Sequence, residues 1–139
     1  MTNEEGDGES VVRHREILHY HGDAVRALFV VSALVLIVAQ STGAALPLST
    51  LEAVLAAVLL VVSAGITNPA QSWIHWTNAL LAMGGTILFG TTAVEHYRAG
   101  TSLFDPSFAY IEALALLSLF ALYFTTRTIR GFHLRRKLS

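Results

Sequence analysis

The chain contains no cysteine, which excludes disulfide frameworks, thiolate metal ligation and thiol nucleophiles. Charge is scarce as well. Asp, Glu, Lys and Arg together make up 14% of the residues, against about 25% in an ordinary soluble domain. Proline occurs three times and tryptophan twice in 139 residues, so the signals that break helices or mark an interface are few and each can be placed. No H-E-x-x-H zinc helix, G-x-S-x-G elbow or P-loop is present, so no catalytic residue and no cofactor is assigned. A net charge of -1 gives no basic footprint for nucleic acid.

What the chain has instead is hydrophobic length. Apolar residues make up 53% of it, and between Ala53 and Val94 there is no Asp, Glu, Lys or Arg. That stretch is about twice the roughly 20 residues needed to cross a hydrocarbon core once. Asn68-Pro69 divides it into two spans. Adding the apolar stretches before and after it predicts an all-α integral membrane bundle of four transmembrane helices, over about 24–42, 50–66, 70–97 and 106–130.

Charge placement sets the expected orientation. Arg13, Arg15 and Arg26 precede or open the first span, and Arg127, Arg130, Arg135, Arg136 and Lys137 follow or close the last. Only Arg98 lies between spans. The positive-inside rule then places both termini in the cytoplasm, with the protein in the cell (inner) membrane. A cleaved signal peptide is disfavoured, because the polar stretch before the first span is long and carries Glu4, Glu5, Asp7, Glu9 and Glu16. Residues 1–9 read as a disordered acidic tail. Residues 10–22 read as a short amphipathic segment on the membrane surface, ended by Gly22 with Asp23 capping the next helix. Residues 132–139 read as a basic cytoplasmic tail suited to anionic lipids.

Helix ends carry their own signals. Ser49 and Glu52 have the spacing of a capping box. Asn68-Pro69 suggests a cap followed by proline at the first helical position, which predicts a third helix starting at Pro69. Gly100 is its expected terminator, Asp105-Pro106 starts the fourth helix, and Gly131 follows its expected end at Arg130. Trp73, Trp76 and Tyr97 fit interfacial belts.

Ionisable groups in lipid are candidates for function. Glu52, Glu95 and Glu112 are expected toward the outer leaflet, and with His96 they form the candidate ion or proton site. Oxygen ligands of this kind suit a hard cation or proton exchange, with no particular metal indicated. Glu52 also has a local explanation as the partner of Ser49. Glu95, near a helix C-terminus, calls for a partner such as Arg98 or His96. On the third helix Thr77, Gly84, Thr91 and Glu95 project within about 40° of one another at 100° per residue, a candidate path lining. Ala82, Thr86 and Gly90 form a small-residue row on the opposite side, a candidate packing or oligomer interface. His75, between the tryptophans, reads as an interfacial anchor.

These features favour a small scaffold or accessory membrane protein, not an enzyme, that binds lipids, a membrane protein partner or a second copy of itself. An oligomeric ion or small-solute channel or transporter using the outer carboxylates is the alternative. A membrane-embedded enzyme ranks third.

Overall fold

The computed structural model describes residues 21–68 and 70–138. It is all-helical, with four helices and no strand among the described residues. Helix α1 spans Gly22–Ser41, α2 Thr50–Ile66, α3 Ser72–Arg98 and α4 Pro106–Leu138. The acidic tail and most of the surface segment expected over 1–22 lie outside the described residues.

Local chemistry sets most boundaries. Ser49 accepts from the Glu52 amide at 3.3 Å, and the Ser49 amide donates to Glu52 Oε2 at 2.8 Å, closing the capping box that starts α2. Asp105 Oδ1 accepts from the Ser107 amide at 2.9 Å, with Pro106 as the first residue of α4. Gly43 and Gly100 both stand at φ 75°, a conformation glycine adopts without a Cβ penalty. At each, the glycine amide and the next one fold back onto carbonyls of the last turn: Gly43 to Gln40 and Ala44 to Ala39, Gly100 to Tyr97 and Thr101 to His96. Carbonyls of the last turn are satisfied in this way, that of Ala39 accepting also from Thr42 Oγ1 at 2.9 Å.

Three boundaries differ from the sequence expectation. Helix α3 begins at Ser72 instead of Pro69, because Asn68 Oδ1 accepts from the Ala70 amide at 3.0 Å and the Gln71 amide closes onto the Asn68 carbonyl at 3.2 Å. Asparagine here makes a turn, and the helix starts after it. The start of the first helix also differs from the expected cap at Asp23, with Gly22 inside the helix. Gly22 is the buried first residue of α1, whose N-cap is His21, while Asp23 lies in the first turn beside Arg26 at 3.8 Å. Gly131 does not stop α4, which runs on to Leu138 with Phe132 and His133 packed on the start of α3. The basic segment after residue 131 is therefore helix up to Leu138.

The helices run up and down, so α1 begins and α4 finishes at one end, called proximal here; the opposite end is distal. Packing is longest between α3 and α4. Helix α1 lies against both α2 and α4, while α2 and α3 touch little. Ala33, Leu36, Ala53, Ala57, Phe89, Ile111 and Leu114 form a core toward the distal end. Val25, Phe29, Ala64, Ala82 and Ala121 form another toward the proximal end.

Outside the cores, large apolar side chains face outward on every helix, among them Leu34, Leu55, Leu80, Ile87, Leu119 and Phe120. A surface of this kind is suited to hydrocarbon and not to water. Helices α1, α3 and α4 are long and apolar enough to cross a membrane. Helix α2, with 17 residues, extends only about 25 Å at 1.5 Å per residue.

Candidate functional site

The distal carboxylates lie on three different helices. Glu52 is spent on the Ser49 amide at the start of α2. Glu95, in the last turn of α3, and Glu112, in the second turn of α4, are both exposed. The expected pairing of Glu95 with Arg98 or His96 is not made: among the described residues the ion pair present is Arg26 with Asp23. His96 turns toward α4, its ring centroid 6.3 Å from that of Phe108, with Nδ1 buried and lacking a hydrogen-bond partner. Among the described residues no group of three or more His, Asp or Glu side chains is disposed to hold a metal ion.

The two faces of α3 separate as the spacing predicts. Ala82 is buried and Thr86 and Gly90 are half-buried, so this row packs inside the bundle. Thr77 is half-buried, while Gly84 and Thr91 are exposed. Their hydroxyls return to their own helix, Thr77 to the Trp73 carbonyl at 3.3 Å and Thr91 to the Ile87 carbonyl at 2.7 Å. A tight contact between α3 and α4 falls at a residue outside both rows. A Cβ at Gly85 would fall 2.5 Å from Ser118 Oγ.

A buried polar layer at the proximal end was not expected. Asn78 is fully buried, its Nδ2 donating to Thr67 Oγ1 at 2.9 Å, and Thr67 in turn donates to the Ser63 carbonyl at 2.7 Å. His75, read as an interfacial anchor, is 2% exposed. It interacts with the Asn68 backbone, and its ring centroid lies 5.2 Å from that of Phe132. Across the bundle, the His21 amide donates to Thr128 Oγ1 at 3.3 Å and the His21 ring lies 5.5 Å from Phe124. The layer follows from helical repeat. Asn78, Thr125 and Thr67 stand one turn below Ala82, Ala121 and Ala64 of the proximal core, and so face the same interior. Asn78 Oδ1 is buried without a partner.

Between α2 and α3, where packing is thin, lies a crevice of about 240 Å³. Leu59 and Leu60 of α2 form one wall, and Leu80, Gly84 and Leu88 of α3 the other. Phe29, Ser32 and Leu36 of α1 and Leu114 and Ser118 of α4 line its floor. Ser32 donates to the Leu28 carbonyl at 2.7 Å, so the lining offers mainly hydrocarbon. Leu59 and Leu80 are more than half exposed, which opens the crevice sideways, toward lipid. Nothing read from the sequence pointed to the thin packing between α2 and α3.

Fold and surface together define an all-helical integral membrane protein. In comparisons with protein-family models, characterised proteins and solved structures, the chain matched none.

Proposed function

We propose that this chain is a small multi-pass scaffold or accessory protein of the membrane, with α2 as a fourth crossing, both termini cytoplasmic, and the α2/α3 seam as the place where a partner helix or a second copy packs. The observation that carries this reading is the sideways-open apolar crevice, lying where two consecutive helices leave each other largely uncovered. The membrane supplies no hydrophobic drive for helix association, so such a seam is closed by van der Waals packing, and glycine at its edge lets a neighbour approach. Gly84 provides that, with nothing within 4 Å of a Cβ placed on it. The polar side chains between helices serve internal joints, and the reading assigns no catalytic step to the chain.

A photo-crosslinking residue at Leu59 or Leu80, compared with one at Leu116 on α4, tests the seam in native membranes. A discrete protein adduct from the first two positions and not from the third is expected. Adducts to lipid alone would overturn the reading. Glu112-dependent ion flux in proteoliposomes would replace it with the transport alternative.

A further inference from the structure

The two tryptophans of the chain sit together at the proximal end of α3, Trp73 and Trp76 each 54% exposed. Beside them runs the last part of α4, which lays His133 on Trp76 with ring centroids 6.5 Å apart. Arg130 lies three residues before His133 and Lys137 four after, so the three share one helix face, and all three are exposed. Arg127, one turn deeper, is held differently. Its guanidinium lies 5.7 Å from the Tyr123 ring centroid and donates to the Tyr123 hydroxyl at 3.2 Å.

Among the described residues Glu52, Glu95, Asp105 and Glu112 are in the distal half, and Asp23 on α1 lies beside Arg26. Tryptophan prefers the level of lipid headgroups, which sets the depth of this face in the bilayer. Basic side chains at that level attract anionic lipid.

We propose that Trp76, Arg130, His133 and Lys137 form a binding site for the headgroup of an anionic phospholipid. Its phosphate is taken by the two long basic side chains at the level of His133, and its glycerol region rests on Trp76. Helical order to Leu138 makes the site: a loose basic tail would attract anionic lipid without fixing a position, whereas a helix packed on Trp76 fixes one. The proposal rests on membrane insertion and not on what fills the α2/α3 seam.

Trp76 is in this site and Trp73 lies one turn before it on α3, so tryptophan fluorescence reports on this end of the helix. The full chain would be reconstituted in phosphatidylcholine vesicles containing either brominated phosphatidylglycerol or brominated phosphatidylcholine, and quenching compared at equal mole fraction. The anionic lipid is expected to be favoured by roughly fivefold, and the Arg130→Gln/Lys137→Gln variant to bring the preference below about twofold. Arg98→Gln, at the distal end, leaves it unchanged. Equal quenching by the two lipids in the wild type, or an undiminished preference in the double variant, would overturn the site. Should that variant fail to insert, salt decides. At about 1 M, where the screening length is about 3 Å, the wild-type preference should vanish, and a preference that persists overturns the proposal.

Discussion

Helix α3 is built differently on its two sides. Toward α4 it is fastened along its whole length: His96 on Phe108 near one end, Gly85 against Ser118 in the middle, and His75 on Phe132 and Trp76 on His133 at the other. Toward α2 it holds on at one end, where Asn78 meets Thr67 across the connection, and the rest of that side opens into the crevice. The two hairpins joined through α3 therefore have unequal stability, and α2 depends on α1 and on its own helix cap more than on its successor. In a membrane, seams of small residues in close contact resist change, and seams with empty volume accept a neighbour.

The contrast is most directly broken at Gly85. Gly85→Val forces a branched side chain into Ser118 and should cost about 1–3 kcal/mol; Ser118→Gly in the same chain recovers part of that loss. On the other side of the helix, Leu80→Ala should change stability by no more than about 0.5 kcal/mol. Unfolding in mixed micelles measures both, and equal losses would mean that the two seams are equally packed. Next in size, Ser49→Ala removes the cap of the loosely held helix and should cost about 1 kcal/mol, with protease sensitivity appearing at the 42–49 connection before elsewhere. Smallest is the joint across the α2/α3 connection. A double-mutant cycle of Asn78→Ala with Thr67→Val should give a coupling of about 0.6 kcal/mol, the usual size for hydrogen bonds between membrane helices. A coupling near zero would leave the connection itself as the main link between α2 and α3 at that end.

Features made by near neighbours in the chain were legible. The capping box at Ser49 and Glu52, the Asp105-Pro106 start and the Gly100 stop each need residues within about one helical turn, so spacing alone reveals them. Asn68 shows where that logic ends, since cap and turn are both local uses of the same side chain and only the path of the chain decides between them. Gly131 was read as a stop because glycine usually follows a helix, but contacts from Phe132 and His133 onto α3 accompany the helix past it. The phase of α3 against α4 was beyond the sequence, and so were the role of Gly85 and the burial of His75 and Asn78. Each depends on which helix lies opposite and at what height. The carboxylates were singled out by their rarity in apolar surroundings, yet their positions near helix ends allow them to be exposed without reaching one another.

The short second helix has a consequence for the bilayer around the molecule. With α2 as the proposed fourth crossing, it extends about 25 Å, while α4, diagonally opposite, extends about 36 Å over residues 106–129, before its basic face begins at Arg130, both at 1.5 Å per residue, so the apolar girdle is lower on one flank than on the other. Lipid next to α2 has to thin or the whole molecule has to lean, each at a fraction of a kcal/mol per Å of mismatch. Bilayer thickness thereby becomes a sorting cue. The protein should concentrate where the membrane is already thin, and a partner that shares the same deformation gains by sitting on the low flank.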